Sequence, residues 1–157
     1  TAMMGIKGIM PAIIILALAY SLNDLSAMLN TAGFIIENTE SWLTPKLLPM
    51  LAFLITAIVA FSTGTSWGTY AIMIPIAVPL AFNFSGNEIT HIVYATVAAI
   101  AGGGVFGDHC SPLSDTSILA STGAASDHID HIKTQMPYAL TVGLISVLIY
   151  LLIGNTF

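Results

Sequence analysis

The sequence predicts an all-α integral membrane protein whose helices are interrupted by polar segments. Of its 157 residues, 56% are hydrophobic and 7% are charged, and its mean hydropathy is +0.90. Soluble domains carry about 25% charged residues, and a domain with so little charge would be poorly soluble in water. Long apolar stretches suit membrane-spanning helices, because a helix satisfies its backbone hydrogen bonds internally. We therefore expect a multi-pass protein of the cell membrane.

The composition also excludes several classes of function. The net charge is −5 and the chain has three basic residues in total, so it offers no basic patch for nucleic acid. His109, Ser111 and Asp115 are the residue types of a hydrolase triad, but they lie within seven consecutive residues. Triad partners normally come from separate structural elements that fix their geometry. We expect neither an enzyme nor a resident cofactor.

The first predicted span is residues 8–29, long enough to cross about 30 Å of hydrocarbon as a helix. Asn23 and Asp24 lie in its far third. They lie either at the lipid headgroups or in the interior of a helix bundle, where a carboxylate is a candidate ion- or proton-binding group. A polar connector, residues 31–46, follows this span.

Residues 47–84 are apolar at both ends but contain FSTGTSWGTY at positions 61–70. One continuous helix of this length would rise about 57 Å, nearly twice the hydrocarbon thickness. Two halves of about 15 residues fit a re-entrant hairpin, with its tip at residues 62–69, better than the alternative of two full crossings. Hydroxyl and carbonyl oxygens suit a hard monovalent cation. The candidate ligands at the tip are Ser62, Thr63, Thr65, Ser66 and Thr69.

The second polar interruption lies in residues 102–123, GGGVFGDHCSPLSDTSILASTG. An apolar helix is predicted to end at Gly107, and Pro112 removes a backbone donor among the polar residues that follow. A short helix then ends at Gly123. Transporters build ion sites from such discontinuous helices, because irregular backbone at membrane depth is tolerated where it lines a cavity. The candidate ion- and proton-binding residues are Asp108, His109, Ser111, Ser114, Asp115 and Thr116.

A desolvated aspartate in this break would bind a proton or Na⁺, but not both at once. Alternate exposure of that aspartate to the two sides of a membrane would turn this competition into antiport. Neither interruption alone can satisfy a dehydrated cation, so we expect the hairpin tip to contact the break near the bilayer midplane. The predicted Na⁺ ligands are Asp108, Asp115, Thr65 and Ser66. Alternatively, Asp115 itself, or Ser111 followed by a proline, merely caps the short helix.

Two features have simpler alternatives. Gly64 and Gly68, like Gly103 and Gly107, are spaced for close helix packing as well as for a backbone break. Residues 124–135 are predicted to be a solvated loop, although their two histidines at i and i+3 also invite a zinc site. A last span, residues 138–153, follows Pro137.

The motif GDHCSPLSDTSILASTGA at residues 107–124 resembles the signature of NhaC-type sodium/proton antiporters. FSTGTSWGT at 61–69 and KTQMPYAL at 133–140 are similar to the later half of the same family. This resemblance implies an inner-membrane exchanger built from inverted repeats with paired re-entrant segments, of which this chain is the C-terminal half. Relatives in the family exchange sodium and protons, and some couple this exchange to malate and lactate. The chain has no arginine, which weakens the organic-acid alternative because a carboxylate substrate favours a guanidinium partner.

The resemblance also sets the expected substrates and partners. Na⁺ and H⁺ are the transported substrates, and residues 1–157 form a single transmembrane transporter domain. The expected partners are the lipid bilayer and the missing N-terminal half. Assembly into a homodimer stays open.

Overall fold

The computed structural model describes residues 43–156 and six isolated earlier positions. Over residues 43–156 the chain is all-helical, without strands. The helices are α1 (Leu48–Thr63), α2 (Ser66–Phe84), α3 (His91–Cys110), α4 (Asp115–Gly123) and α5 (His128–Thr156). The predicted span at residues 8–29 lies outside the described residues except at isolated positions, and Asn23 and Asp24 fall outside them altogether.

Helices α1 and α2 form an antiparallel hairpin. Leu48 at the start of α1 and Leu80 near the end of α2 belong to one apolar cluster, and Phe53 and Met73 belong to a second cluster farther along. The chain reverses at Gly64, whose φ of +69° is left-handed and therefore favours glycine. The predicted interruption is present. Helix α2 has 19 residues, enough for a full crossing, so the re-entrant path stays a prediction.

Helix α3 packs in parallel against α1 through small residues. A Cβ atom at Gly103 would lie 2.5 Å from the carbonyl oxygen of Phe53, and one at Gly107 would overlap the carbonyl oxygen of Ala57. Glycine is therefore required at both positions for the two backbones to approach. This pair of glycines serves helix packing.

The prediction that Gly107 ends the helix is wrong, because α3 continues to Cys110. The proline at position 112 is the reason for the later end. A proline disfavours helical backbone at the residue before it, and Ser111 accordingly has an extended conformation with φ −77° and ψ 129°. Asp108 therefore lies in the last turn of a helix rather than in a loop.

Helix α5 runs antiparallel to α1 and α3. Gly154 near its end packs on the backbone of Lys46, and Gly143 packs on the ring of Phe106. Near its start, the Gln135 side chain bonds to the last turn of α3. The three helices therefore lie side by side along most of their lengths.

Helix α5 starts well before the predicted span at residues 138–153. Asp127 caps it by accepting hydrogen bonds from the N–H groups of Ile129 and Asp130 at 2.9 and 3.1 Å, as expected for an N-cap aspartate. The prediction of a solvated loop at residues 124–135 is therefore wrong beyond Asp127. Pro137 lies inside the helix.

Two of the described helices, α2 and α5, are long and apolar enough to cross a membrane. The most apolar 18-residue window of α5 is 6% buried, so side chains such as Leu144 and Leu152 are exposed. A large exposed apolar surface on a long helix suits contact with lipid or with further helices rather than with water.

Candidate ion-binding site

The polar site lies at the break between α3 and α4, which consists of residues 111–114. Ser111 and Ser114 are fully buried there. The Ser114 hydroxyl caps α4 by accepting a hydrogen bond from the N–H of Ser117 at 3.3 Å, and the Ser111 hydroxyl accepts one from the N–H of Leu113 at 3.1 Å. The alternative caps, Ser111 and Asp115, are therefore wrong, because Ser114 makes the cap and Asp115 is the first residue of α4.

Asp108 is the buried charge of the site, with a relative exposure of 7%. Thr116 Oγ1 donates a hydrogen bond to Asp108 Oδ2 at 3.2 Å, and the hydroxyl oxygens of Thr116 and Ser114 lie 2.7 Å apart. The other carboxyl oxygen, Oδ1, is buried and receives no hydrogen bond within the part of the chain that the structure describes. A buried carboxylate oxygen without a donor is unfavourable. Among the predicted site residues, Asp108 thus combines burial with an incompletely hydrogen-bonded carboxylate.

The other predicted titratable residues are less enclosed. Asp115 and His109 are both exposed, and Asp115 lies in the first turn of α4, where a carboxylate interacts favourably with the helix dipole. The backbone carbonyl of His109 accepts hydrogen bonds from Ser117 Oγ at 3.2 Å and Gln135 Nε2 at 2.6 Å. Among residues 43–156, no hydrogen bond joins either of the two side chains to Asp108.

The hairpin tip contacts the break. A Cβ atom at Gly64 would lie 2.8 Å from both the carbonyl carbon and the carbonyl oxygen of Leu113. The two backbones therefore touch, which confirms the predicted approach of the tip to the break. The predicted coordination of Na⁺ by Thr65 and Ser66 together with Asp108 and Asp115 stays a prediction.

The tip hydroxyls bond mainly within their own helices. Ser62, Thr63 and Thr69 each donate to the carbonyl oxygen four residues earlier, at 2.8, 2.9 and 2.8 Å. Each hydroxyl uses its single proton in this way but keeps lone-pair capacity for a cation. Thr65 and Ser66 are half-buried at the start of α2. Thr65 Oγ1 accepts a long hydrogen bond, 3.5 Å, from the N–H of Gly68.

Tyr70 of α2 also borders the site, and sequence reasoning missed it. Its ring packs so closely on Gly104 that a Cβ atom there would overlap it, and its hydroxyl donates to the carbonyl oxygen of Ala101 at 2.9 Å. It is near enough to Asp108 for the two to interact electrostatically. The signal in the sequence was Gly104, which leaves room for an aromatic ring one helical turn before Asp108.

A cavity of about 730 Å³ lies between α3 and α5 beside the site. Its lining is mainly apolar and aromatic, with Phe53, Tyr70 and Tyr150 in its wall and His109 and Gln135 as polar members. A cavity of this size is large enough for a small organic molecule.

The break lies level with the first turns of α5. Gln135 reaches the carbonyl of His109, and the Nε2 atom of His128 lies 2.9 Å from the carbonyl oxygen of Pro112. The apolar part of α5 begins after Pro137. The break therefore lies beside the polar start of α5, because α3 extends past Gly107 to Cys110. The predicted position near the bilayer midplane stays a prediction.

The zinc alternative gains no support. No group of three or more His, Cys, Asp or Glu side chains suited to a metal ion occurs in the residues described. Both ring nitrogens of His128 already lie within hydrogen-bonding distance of protein oxygens, Nδ1 of Ser121 Oγ at 3.1 Å and Nε2 of the Pro112 carbonyl.

Comparison with known proteins places this chain in a family. The model of the Na⁺/H⁺ antiporter family matches residues 1–155. The chain is 41% identical to an uncharacterised protein of Haemophilus influenzae, over 98% of this chain and 29% of that protein. It is 34% identical to the arginine/ornithine antiporter ArcD of Halobacterium salinarum, over 91% of this chain and 28% of that protein.

It is also 29% identical to the Na⁺/H⁺ antiporter NhaC of Alkalihalophilus pseudofirmus, over 97% of this chain and 32% of that protein. The chain thus spans less than a third of the length of each of these relatives. No solved structure matches it.

Proposed function

The chain belongs to the Na⁺/H⁺ antiporter family, and from this premise we propose that it exchanges Na⁺ for H⁺ across a membrane through Asp108. The family and the named relatives are antiporters, that is, transporters rather than enzymes. Because the chain spans less than a third of those relatives, the activity of the complete protein is part of the proposal.

The proposal rests on the burial and the incomplete hydrogen bonding of the Asp108 carboxylate. The carboxylate is buried, its Oδ2 has one hydroxyl donor, and its Oδ1 has no donor among the described residues. A proton on Oδ1 removes the buried charge, and a Na⁺ ion beside it balances that charge. Because both ligands relieve the same unfavourable state, each displaces the other.

The remaining Na⁺ ligands would come from neutral oxygens on both sides of the contact at Gly64. Thr116 and Ser114 already form a chain of hydroxyls that ends at Asp108. Thr65 and Ser66 begin α2 beside this break. Asp115, Asn23 and Asp24 are further candidates that this proposal retains.

Exchange also requires the site to open alternately to each side of the membrane. We assign this movement to the hairpin and to the α3–α4 break, acting against the N-terminal half of an inverted-repeat transporter. In this proposal Na⁺ and H⁺ are substrates and no resident cofactor is needed. The lipid bilayer surrounds the multi-pass assembly, and a homodimer is one assembly state to test.

Proton flux in inverted membrane vesicles from cells that express the full-length protein tests this function. Vesicles are acidified by respiration, and Na⁺, K⁺, arginine and malate are added separately. We expect Na⁺ to release protons, and we expect the Asp108→Asn variant to show no release. A Na⁺ response that is unchanged in Asp108→Asn would contradict the assignment of the shared site.

A second candidate is exchange of a small organic solute. The cavity of about 730 Å³ beside the site could hold such a molecule, and one relative is named as an arginine/ornithine antiporter. The malate and lactate exchange implied by the family resemblance belongs to the same class. Proton release on adding arginine or malate, without a response to Na⁺ alone, would favour this candidate.

A further inference from the structure

The first turns of α5 hold both sides of the break between α3 and α4. His128 and Gln135 are seven residues apart, two helical turns, and therefore lie on one face of the helix. Gln135 Nε2 donates to the carbonyl of His109 at 2.6 Å, and His128 Nε2 lies 2.9 Å from the carbonyl oxygen of Pro112. These contacts fix the backbone that carries Asp108 and its hydroxyl neighbours, although neither side chain touches the carboxylate in any hydrogen bond described.

The hydrogen bonds of His128 depend on its protonation state. A carbonyl oxygen can only accept, so Nε2 carries a proton whenever it bonds to Pro112. Ser121 Oγ lies 3.1 Å from His128 Nδ1 and 2.9 Å from the carbonyl oxygen of Ile118, but a hydroxyl has one proton to donate.

Neutral His128 must receive that proton on Nδ1, which leaves the Ile118 carbonyl with the hydroxyl of Thr122, at 2.8 Å, as its side-chain donor. In the charged imidazolium, Nδ1 donates to Ser121 Oγ and the hydroxyl proton goes to Ile118. All three contacts at the observed distances are therefore satisfied together by the charged form.

We propose that His128 is a positioning residue for ion exchange, which holds the α3–α4 break through Pro112 and holds it more tightly when protonated. Gln135 is its uncharged counterpart on the other side of the break. Tight holding keeps the hydroxyls of Ser114 and Thr116 in place at Asp108 and opposes the movement of the break that exchange requires. Protonation of His128 therefore slows exchange.

Other titratable groups lie on the elements around His128, and the test must separate them from it. Asp127 caps α5, and Lys133 pairs with Asp130 at 3.5 Å on the exposed surface. No hydrogen bond described in residues 43–156 joins these groups to the His128 ring. The titratable or charged groups on its own helix end, on α4 and on the last turn of α3 are Asp127, Asp130, His131, Lys133, Asp115, Asp108, His109 and Cys110.

The first test compares His128→Ala, His128→Gln and His131→Gln in the flux assay, and it rests on the proposed function. We expect His128→Ala to raise the Na⁺ concentration for half-maximal exchange by about three- to tenfold, the effect of losing one or two net hydrogen bonds. His128→Gln keeps a neutral donor for the Pro112 carbonyl and should restore the Na⁺ requirement. It should nevertheless remove part of the fall in maximal rate between about pH 8 and about pH 6, because glutamine, unlike histidine, cannot take up a proton.

His131→Gln is the matched control, because none of the hydrogen bonds described in residues 43–156 joins the ring of this neighbouring histidine to the break. It should keep both the Na⁺ requirement and the pH profile of the unmodified protein. A His128→Gln profile identical to that of the unmodified protein would overturn the proposal, as would an equal effect of His131→Gln.

The second test does not depend on which ion is transported. Cys110 is buried in the last turn of α3, beside the break, so its labelling by a maleimide, in a full-length protein whose other cysteines are replaced, reports opening of the break. At each pH we compare the labelling rate with and without His128→Ala, which cancels the ionisation of the thiol. We expect His128→Ala to speed labelling about three- to tenfold at pH 6 and less at pH 8.

Equal rates with and without His128→Ala at both pH values would overturn the proposal even if Na⁺ flux is found. A rate difference in vesicles that show no Na⁺ response would instead support the positioning role and contradict the proposed function.

Discussion

The hairpin tip at residues 62–69 and the α3–α4 break both place hydroxyl side chains among apolar helices, but the break also encloses a charge. At the tip, Ser62, Thr63 and Thr69 donate to carbonyls of their own helices. At the break, Asp108 is buried with one carboxyl oxygen lacking a donor among the described residues. The tip is thus satisfied without a ligand, whereas the break is not.

Because of this difference, the two polar segments would contribute differently to the proposed ion site. Hydroxyls that have given their protons to the backbone still offer lone pairs, so the tip can add ligands to an ion without needing one. The break needs a proton or a cation to balance its charge. Their contact at Gly64 and Leu113 brings the two kinds of oxygen to one place.

The strongest test of this difference is removal of the buried charge. We expect Asp108→Asn to lower Na⁺-dependent proton release by at least about 100-fold, because an amide neither titrates nor balances a buried cation. Initial rates of proton release in vesicles measure this. Asp130→Asn, at an exposed ion pair, is the control and should retain most activity. Comparable losses in the two variants would mean that Na⁺-dependent proton release does not specifically require the charge of Asp108.

The contact between tip and break can be tested with a matched pair of glycines. Gly64 and Gly86 both have φ of +69°, but a Cβ atom at Gly86 meets no atom of the described residues within 4 Å, whereas one at Gly64 meets Leu113. Both alanine variants bear the cost of left-handed backbone, about 1–2 kcal/mol. We expect Gly64→Ala to lose about 1–3 kcal/mol more through overpacking, and to need more Na⁺.

Thermal unfolding in detergent compares the stability of the two glycine variants, and flux assays compare their Na⁺ requirements. Equal behaviour of Gly64→Ala and Gly86→Ala would mean that the contact between the backbones is unimportant.

Neutral ligands at the tip should affect affinity more than rate. Thr65→Val and Ser66→Ala remove candidate oxygens but leave Asp108 able to titrate. We expect each to raise the Na⁺ concentration for half-maximal exchange by about three- to tenfold, with a smaller fall in maximal rate. Thr141→Val, which removes an exposed hydroxyl of α5 that bonds within its own helix, is the control. A loss of maximal rate without a change in Na⁺ requirement would assign the tip a role other than ion binding.

The smallest effect should come from the exposed aspartate. Asp115 is exposed at the start of α4, where its carboxylate interacts with the dipole of its own helix by about 0.3–1 kcal/mol. We therefore expect Asp115→Asn to change the Na⁺ requirement by less than about fivefold. Flux titrations of Asp115→Asn beside Asp108→Asn measure this ratio. Complete loss of exchange in Asp115→Asn would show that both aspartates bind the ion.

Local sequence signals predicted most of the elements. The predictions failed where a residue took part in helix packing or helix capping that was not foreseen. Gly107 was predicted to end a helix because glycine often does, but here it lets α3 approach the backbone of α1. Residues 128–135 were predicted to be loop because they are polar, but Asp127 caps them into α5. Tyr70 was missed because its role depends on Gly104, which is distant in the sequence.

Composition and motif determined that this chain is helical, apolar and related to Na⁺/H⁺ antiporters, because hydrophobic length and short motifs are properties of contiguous residues. The tertiary structure decided which of two neighbouring aspartates is buried, since burial depends on helices that meet from distant positions. Asp108 lies in the last turn of a helix that packs on α1, whereas Asp115 opens a short helix on the exposed side. The spacing of the two residues in the sequence could not separate these environments.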